Sequence, residues 1–345
     1  MKSFASRVIH WQQRHGRHSL PWQATRDPYR IWLSEIMLQQ TQVTTVVPYF
    51  VRFIARFPDL PALAAAHEDE VLALWSGLGY YSRARNLHAA AHAMVSRHGG
   101  TFPASPDAIA QLPGIGRSTA AAIAALAFGR PCAILDGNVK RVLARHGGIA
   151  GWPGDKKVET ALWQLAESQL PRSAIETYTQ GMMDLGALVC TRSQPACKAC
   201  PVNVDCIAYT QHRTGELPAP RPRKVLPEKQ VQMLLLLDRG ELMLEKRPAR
   251  GIWGGLWSLP ELAPDADPAS HCRDRFGHVG LVRQHLPQLT HSFTHFRLHI
   301  RPVRLQLVAP RRATPAGQIW LPLADAVDAA LPAPIRKLLS QLDRP

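Results

Sequence analysis

Four cysteines are crowded into one short stretch of the chain, and they are the densest set of reactive side chains in the sequence. They are Cys190, Cys197, Cys200 and Cys206, with the spacing C-x6-C-x2-C-x5-C. Four thiolates this close together can converge on one metal centre, either a structural zinc ion or an iron–sulfur cluster. The spacing alone leaves these two alternatives open. The remaining cysteines, Cys132 and Cys272, are expected to be packing residues.

Two carboxylates stand in contexts that suit acid–base chemistry. Glu35 is almost surrounded by apolar residues in the segment IWLSEIML at 31–38, and burial there would raise its pKa and suit it to act as a general acid. Asp136 lies in ILDGNVKR at 134–141, where it could equally be a simple helix cap. Together they provide the pair that cleaves a glycosidic bond, one acid for the leaving group and one carboxylate facing the cationic sugar.

Planar amides and a glycine turn add features that suit nucleic acid. The segment Gln39–Gln42 lies one turn beyond Glu35, and its amides can bond base edges or fill a gap in a base stack. The sequence LPGIG at 112–116 joins two predicted helices. Gly114 and Gly116 leave amide N–H groups bare at the positive end of the second helix, where a DNA phosphate could bind. A plain helix–helix turn is the alternative.

The composition of the 345-residue chain points to a polyanionic partner. It has 41 Lys and Arg against 26 Asp and Glu, a formal net charge of +15, and phosphate contacts supply most of the non-specific affinity for nucleic acid. The first 18 residues lack the apolar core of a secretory signal, and no stretch is long and apolar enough to span a membrane. The cytoplasm is therefore expected, with nucleoid association in a bacterium, and disulfides are not.

Turn signals divide the chain into two predicted domains. Residues 1–215 read as helices, residues 216–228 contain the Pro-rich basic linker LPAPRPRK, and residues 229–345 read as a smaller α+β domain. Helices are predicted from Pro28 to Gln42, from Ser105 to Pro113, and over 117–128, 139–145, 156–168 and 334–342. Strands are predicted over 231–237 and 241–245 around the turn Asp238-Arg239-Gly240, and over 296–301, where apolar and polar residues alternate.

Six motifs in order resemble the adenine DNA glycosylase (MutY) family, within the helix–hairpin–helix superfamily that includes endonuclease III. They are the cysteine loop and the segments LPWQ at 20–23, WLSEIMLQQTQV at 32–43, GLGYYSRARNLH at 77–88, LPGIGRSTA at 112–120 and ILDGNVKRVLAR at 134–145. The resemblance covers nearly the whole chain. It implies a mainly α N-terminal helix–hairpin–helix glycosylase domain with a 4Fe–4S loop, followed by a smaller α+β Nudix-like C-terminal domain.

The resemblance also implies roles for individual residues. The four cysteines hold the cluster, Glu35 protonates adenine chiefly at N7, and Asp136 stabilises the oxocarbenium-like sugar; whether Asp136 also bonds transiently to the sugar stays open. Gln40 and Tyr80 match positions that wedge into the DNA stack, and Trp22 and Leu38 match the adenine pocket. The target base must leave the helix. The DNA-binding set is completed by Gln39, Thr41, Gln42, Gly114, Gly116, Ser118 and Asn138.

One position distinguishes this chain from lyase relatives. Endonuclease III-like enzymes place a lysine directly after the arginine of the hairpin, as the nucleophile of a Schiff base. Here Arg117 is followed by Ser118. A serine cannot form an imine, so the chain is expected to be a monofunctional glycosylase.

The second domain resembles the Nudix fold that acts on 8-oxo-dGTP, through KRP at 246–248 and WGGLWSLP at 253–260. The stretch 263–280, where the magnesium-binding glutamates of a Nudix hydrolase belong, has no glutamate, so hydrolysis there is not expected. Phe293, Thr294 and His295 match the family's Phe-Ser-His loop that contacts 8-oxoguanine. The expected substrate is adenine opposite 8-oxoguanine or guanine in double-stranded DNA, bound by a monomer.

Two other functions fit parts of this pattern. A thymine-mismatch glycosylase or AP lyase would share the helical domain, but Ser118 and the second domain count against both. A non-catalytic iron–sulfur DNA-binding protein would keep the cluster as scaffold, but the presence of both Glu35 and Asp136 counts against it.

Overall fold

The computed structural model describes residues 3–222, 225–309 and 314–342. These residues form two compact units, one from the described residues of 1–65 and 86–223, the other from those of 66–85 and 224–345. The first unit is helical, and the second combines a sheet with helices. Within the described ranges, no helix has the length and apolar character needed to cross a membrane.

The chain before residue 223 is built from helices. They are α1 Phe4–His15, α2 Pro28–Leu38, α3 Val43–Arg56, α4 Leu60–Ala65, α5 Glu68–Trp75, α6 Ser82–His98, α7 Pro106–Ala110, α8 Arg117–Phe128, α9 Gly137–His146, α10 Lys156–Ser168, α11 Ile175–Asp184 and α12 Ile207–Thr210. A π-helical turn, Leu185–Val189, extends α11, and a 3₁₀ turn, Cys197–Ala199, lies in the cysteine loop. The helices predicted over 117–128 and 156–168 are confirmed with the same bounds.

Local capping explains several helix ends. The Asp27 side chain accepts a hydrogen bond from the Tyr29 amide at 3.0 Å, and Pro28 occupies the first helical position, where its missing N–H is no loss. Gly129, in the left-handed region with φ of 64°, ends α8. The start of α2 matters for the site because this helix carries Glu35.

Two predicted helices are shorter in the structure than expected. The helix expected to reach Gln42 ends at Leu38, because Gln40 takes a left-handed conformation with φ of 58° and the chain turns there. The helix expected to reach Pro113 ends at Ala110. In both cases a turn replaces the last predicted helical residues, which periodicity could not show because no Gly or Pro interrupts residues 39–42 or 111–112.

The alanine-rich helix α8 is the centre of the first unit. Its residues Ala120–Ala125 are buried, and it packs against α2, α7 and α11. The apolar side of α9, including Val139, Val142 and Leu143, joins the same core. Small side chains on α8 allow its neighbours to approach closely. As a result α2 and α9, the helices that carry the two candidate carboxylates, belong to one packed body.

A mixed sheet organises the second unit. Its strands are β1 Glu228–Asp238, β2 Glu241–Lys246, β3 Trp257–Ser258, β4 Glu261–Leu262, β5 Gly280–His285, β6 Leu289–Ser292, β7 Arg297–Leu307 and β8 Gln318–Pro322. The strand order is β3-β2-β1-β7-β5, with β4 on β1, β6 on β7 and β8 on β2. The β1–β7 pair is parallel, with Gln230 opposite His299, and the other pairs are antiparallel.

Besides α5, which lies in the segment 66–85, the described part of this unit contains the helices α13 Pro268–Phe276, α14 Leu323–Asp328 and α15 Ala333–Leu342. The predicted hairpin around Arg239 and the final helix are confirmed to within a few residues. Helix α13 lies in the stretch that would hold the magnesium ligands of a Nudix hydrolase, and it contains no glutamate.

The predicted linker begins as part of the first unit. The Leu217 side chain is buried, and its carbonyl accepts a hydrogen bond from Arg145 Nε at 2.7 Å. The Ala219 amide donates to the Gly151 carbonyl at 3.2 Å. Residues 223 and 224 of the linker, like the chain ends and 310–313 of the predicted domains, lie outside the described residues. The domain boundaries at 215 and 229 stay a prediction.

Candidate active site

Glu35 lies on α2 and faces a cavity of 270 Å³ in the first unit. The cavity leaves its side chain in partial contact with solvent, while the helices around it enclose the carboxyl group. Burial raises the pKa of Glu35 to about 7, and the negative charge of Asp136 contributes further. In the part of the chain that the structure describes, no hydrogen-bond donor contacts this carboxyl. Glu35 can therefore hold a proton near neutral pH.

Asp136 caps α9. Its Oδ1 accepts a hydrogen bond from the Val139 amide at 2.7 Å, and its backbone is extended, as a cap requires. Burial raises the pKa of Asp136, but the backbone amides at the start of α9 and the charges of Arg141 and Lys140 oppose this. The cap contact is thus compatible with the predicted catalytic role of the same carboxyl.

Burial raises the pKa of both carboxyl groups, but their remaining surroundings differ. The amides and cations beside Asp136 stabilise a negative charge there, whereas burial without a donor favours the neutral form of Glu35. Two interacting carboxyl groups whose surroundings push their pKa values apart are the arrangement that divides acid from anion. We therefore place the proton on Glu35 and the negative charge on Asp136.

The cavity at Glu35 has one aromatic wall and several polar groups. Trp22 lines it and is itself buried, with its ring edge-on to Phe50 at 5.2 Å between centroids. Leu38, also predicted to line the base pocket, lies at the end of α2 and does not line this cavity. The volume is near the lower end for pockets that bind small ligands.

Sequence reasoning missed the polar side of this cavity. It is lined by Arg17, Gln23, Ser34, Glu176 and Gln180, among others. Two of these side chains are held by Asp184, which is fully buried: it accepts hydrogen bonds from Arg17 Nε at 2.7 Å and from Gln180 Nε2 at 2.8 Å. Arg17 and Asp184 are 167 residues apart, so no local pattern in the sequence could have paired them.

The residues that follow α2, from Gln39 to Gln42, form an irregular, polar turn. Gln40 is exposed and left-handed, Gln42 is the N-cap residue of α3, and Thr41 Oγ1 donates to the Gln39 carbonyl at 3.4 Å. Gln39 Nε2 donates to Thr119 Oγ1, also at 3.4 Å, which connects this turn to the start of α8.

The glycine hairpin precedes α8 as predicted. Gly114 has φ of 76°, and a Cβ there would collide with the Asn86 side chain, so glycine is required. Gly116 is the N-cap residue of α8 and leaves its amide end open. The structure thus gives the bare amide groups that a phosphate could accept from.

Ser118 and Asn138 make hydrogen bonds to residues near Asp136 in the sequence. Ser118 Oγ accepts a hydrogen bond from the Leu135 amide at 2.9 Å, one residue before the aspartate. Asn138 Oδ1 accepts from Arg141 Nη2 at 2.8 Å. Both residues therefore lie close to the carboxylate in the structure, although neither was predicted to support it.

The four cysteines line one small cavity in the first unit. Burial raises the pKa of Cys200 to about 12, and the other three thiols add to this effect, which shows that they are close together. Arg145, itself buried, donates to Cys190 Sγ at 3.4 Å and to the Thr191 carbonyl at 2.6 Å. As they stand, no three His, Cys, Asp or Glu side chains of the described residues form a group that could hold a metal ion.

The donor set fits an iron–sulfur cluster. Only thiols are available as anionic ligands at this cavity, since no carboxylate lines it, and the Arg145 guanidinium provides positive charge beside them. Fe–S clusters are held by cysteine thiolates and are tuned by hydrogen bonds to the sulfurs.

In the second unit, Phe293, Thr294 and His295 form the turn between β6 and β7. The Phe293 amide donates to the Phe296 carbonyl at 2.8 Å, which closes the turn. Thr294 and His295 are exposed. Tyr80, also in this unit, is 46% exposed and left-handed, with φ of 49°. The polar pair of the predicted reading turn and the predicted wedge residue Tyr80 are thus on the surface of the described chain.

Comparisons with known proteins agree with this geometry. Residues 33–168 match the family model of the HhH-GPD superfamily base excision DNA repair proteins, and residues 232–341 match that of the NUDIX domain. An adenine DNA glycosylase of Buchnera aphidicola subsp. Acyrthosiphon pisum is 37% identical over 99% of this chain and 98% of its own length. The adenine DNA glycosylase of Mus musculus is 33% identical over 97% of this chain and 77% of its own length.

Solved structures give the same fold for the helical part. A thermostable thymine-DNA glycosylase superposes with a TM-score of 0.53 and 30% identity, covering 60% of this chain and 95% of its own. An endonuclease III–DNA complex superposes with a TM-score of 0.52 at 21% identity over 60% of this chain and 94% of that one, which shows the fold alone.

The fold and these relatives define a base excision DNA glycosylase with a Nudix-like C-terminal part, an enzyme that hydrolyses N-glycosyl bonds. The chain belongs to the adenine DNA glycosylase family.

Proposed function

We propose that this protein removes adenine mispaired with 8-oxoguanine or guanine from duplex DNA, as a monomeric and monofunctional glycosylase. The observation that carries the proposal is the pair Glu35 and Asp136: burial raises the pKa of both carboxyl groups, but only Asp136 has backbone amides and cations beside it that favour the negative charge. The names of the full-length relatives support adenine as the base removed.

The proposed reaction divides between the two carboxyl groups. The adenine leaves the helix and enters the cavity beside Trp22, where the Glu35 carboxyl donates its proton to the base, chiefly at N7. Protonation makes the base a better leaving group, and the glycosidic electrons depart with it. The Asp136 carboxylate, fixed by the Val139 amide, stabilises the positive charge that develops on the sugar. Water then completes the hydrolysis.

The polar side of the cavity supports recognition of the base. Gln180 is held by Asp184 and can present an amide to a purine edge, and Arg17 is fixed by the same carboxylate. A preorganised amide discriminates bases better than a mobile one, because its orientation is set before binding.

We further propose that Cys190, Cys197, Cys200 and Cys206 hold a 4Fe–4S cluster. When bound, the cluster supplies a cross-link that fixes the loop 190–206. Buried Arg145 connects this loop to the end of the unit, because it donates to the carbonyls of Thr191, Arg192 and Leu217. No step of base removal passes through the cluster in this proposal.

The proposed DNA interface uses three surfaces. Bare amides at Gly114 and Gly116 donate hydrogen bonds to a phosphate, while Gln40 and Tyr80 fill the gap left in the base stack. Thr294 and His295 in the second unit read the opposite base: a hydroxyl can accept from the N7–H that 8-oxoguanine has and guanine lacks. As an enzyme of genomic DNA it would work in the cytoplasm, at the nucleoid in a bacterium.

Monofunctional action is supported by Ser118. Its hydroxyl accepts from the Leu135 amide and is occupied in holding the segment before Asp136. A hydroxyl cannot form the imine by which lyases cut the strand.

A panel of duplexes tests the proposal. The full-length protein is incubated with duplexes carrying A:8-oxoG, A:G, T:G or an abasic site, and half of each sample is then treated with alkali. We expect cleavage of the adenine strand of A:8-oxoG and A:G after alkali only, and none of T:G. Release of thymine, or cleavage of the abasic strand without alkali, would contradict the proposal. D136N serves as the matched inactive control, because asparagine caps a helix as well as aspartate does.

A further inference from the structure

Trp253 has a backbone conformation that large side chains rarely adopt. Its φ is 55°, in the left-handed region, and its side chain is buried. The described residues other than glycine that share a positive φ are Gln40, Tyr80, Ala174, His212 and Arg239. Such strain persists where the surroundings enforce it, and it concentrates at functional sites. Gln40 and Tyr80 are the two proposed wedge residues, and Trp253 has the same signature.

The segment around Trp253 is a closed loop that enforces this conformation. Arg247 and Leu256 are joined by a backbone hydrogen bond of 2.8 Å, and the Gly255 amide donates to the Pro248 carbonyl at 3.2 Å. Arg247 Nε donates to the Ile252 carbonyl at 3.1 Å. Position 254 is glycine because a Cβ there would collide with the Ala249 carbonyl. The loop therefore holds the indole in one place.

The Trp253 indole packs against the aromatic rings at the start of the turn 293–296. Its ring centroid lies 5.4 Å from that of Phe293 and 5.7 Å from that of His291. His291 is edge-on to Phe293 at 4.7 Å, and Phe293 stacks on Phe296 at 4.7 Å. Burial lowers the pKa of His291, so its neutral ring packs as an apolar partner. The Phe293 ring thus contacts four other rings, the fourth being that of His295 at 6.1 Å between centroids.

The two residues that follow Phe293 are less enclosed, although the His295 ring is edge-on to that of Phe296 at 4.7 Å between centroids. Thr294 and His295 are exposed, and they contact each other at 3.5 Å between Oγ1 and Nδ1. Trp253, Phe293, Thr294 and His295 all line one cavity of 1120 Å³ within the second unit. The position of the polar pair along this cavity is set by where the Phe293 ring is anchored.

We propose that Trp253 is a positioning residue for recognition of the opposite base, which acts by fixing Phe293 and through it Thr294 and His295. This inference rests on the proposed reading of 8-oxoguanine by the turn. 8-Oxoguanine differs from guanine at the edge by one oxygen and one N–H, so discrimination needs hydrogen-bonding groups held to within about 0.5 Å. A loosely anchored turn would lose the distinction and leave excision from A:G unchanged.

The sheet's own core does not account for Trp253. That core is formed by Leu234, Leu236, Met243, Val303 and Leu305, with Trp320 packed against it. Trp253 belongs to the aromatic group around Phe293. Trp320 is therefore the matched control: a tryptophan of the same unit whose removal damages the core without touching the turn.

The test is a double-mutant cycle in the full-length protein. Single-turnover excision from A:8-oxoG and from A:G is measured for W253A, W253F, F293A, W253A/F293A, T294A and W320A, and circular dichroism monitors the fold of each. A lost recognition contact is worth about 1–3 kcal/mol, so W253A should reduce the preference for A:8-oxoG about tenfold. The A:G rate should stay within about threefold of the wild-type value, a factor worth less than about 0.7 kcal/mol. W253F should restore most of the preference, and the double variant should lose no more than F293A alone, because both changes release the same ring.

Three results would overturn the inference, and a fourth separates it from the proposed function. If W253A keeps the full preference while T294A loses it, the turn reads the base but Trp253 does not position it. If W253A and W320A reduce the preference equally, Trp253 acts through the general stability of the unit. If the losses of W253A and F293A add in the double variant, Trp253 acts independently of Phe293. If T294A and F293A both keep the preference, the proposed reading function itself is wrong. Should W253A unfold the second unit, W253L replaces it as the variant expected to lose the preference, with W253F as the variant expected to keep it.

Discussion

Replacing Glu35 by glutamine is expected to abolish excision and also to stabilise the folded protein above neutral pH. The pKa of about 7 in the folded state lies about 2.5 above the ordinary value of 4.5, and one pKa unit corresponds to about 1.4 kcal/mol. Glutamine has nearly the same shape as glutamic acid but cannot ionise. The variant therefore lacks both the proton that the reaction uses and the penalty of burying a charge.

The sign of the effect follows from proton binding. Below pH 4.5 Glu35 is protonated in the folded and unfolded chains alike. Between pH 4.5 and 7 the unfolded chain loses this proton while the folded chain keeps it, so the wild type loses stability as pH rises. Above pH 7 the loss levels off at about 3 kcal/mol, against about 1 kcal/mol at pH 5.

Thermal unfolding at several pH values measures this difference. In a unit of this size, 1 kcal/mol corresponds to about 2–4 °C in Tm, so E35Q should melt about 6–12 °C above the wild type at pH 8 and only a few degrees above it at pH 5. E216Q, at an exposed glutamate, should differ little from the wild type at either pH. In parallel, wild-type excision should fall as pH rises through 7. A Tm difference between E35Q and the wild type that is the same at pH 5 and pH 8 would refute the reasoning.

Four further changes test the remaining assignments. D136N should keep the cap and the Tm but slow single-turnover excision by at least about 10²-fold; a rate within tenfold of wild type would remove Asp136 from the mechanism. Wild-type protein should be yellow-brown with about four iron and four sulfide per chain, and C197S should lower soluble yield and DNA affinity; stoichiometric zinc without iron would contradict the cluster. S118K should be trapped on DNA by borohydride because it introduces an amine, whereas trapping of the wild type would exclude monofunctional action. T294A should spare excision from A:G but reduce the A:8-oxoG preference by up to about tenfold, with H295A testing the other contact; an unchanged preference in both variants would place the reading of the opposite base elsewhere.

The sequence was most informative where local chemistry decides the structure. Gly129 at the end of α8 and Asp27-Pro28 at the start of α2 are signals that depend on neighbouring residues only, and both helices begin or end where these signals predict. The motif around Asp136 predicted a cap, and the structure shows one. The family and the two-part architecture were likewise predicted from motifs and are confirmed by the relatives.

Features that depend on distant parts of the chain could not be predicted. In the polar wall of the cavity, Asp184 holds Arg17 and Gln180 by hydrogen bonds. The sequence near residue 17 does not predict that Asp184 is its partner. The early end of α2 was not predicted, because the left-handed conformation of Gln40 does not change the pattern of apolar and polar residues. The ring packing of Trp253 on Phe293 joins segments 40 residues apart. The roles assigned to the site residues remain predictions.

The cap formed by Asp136 has a genetic consequence. Asparagine at this position can still accept from the Val139 amide, and glutamine at position 35 relieves a buried charge, so neither change should mark the chain for degradation. Each allele would yield abundant, folded, inactive protein that still occupies mispairs and shields them from other repair enzymes. Alleles of this kind should therefore interfere with a normal copy in the same cell, in proportion to their dosage, whereas alleles that unfold the chain should be recessive.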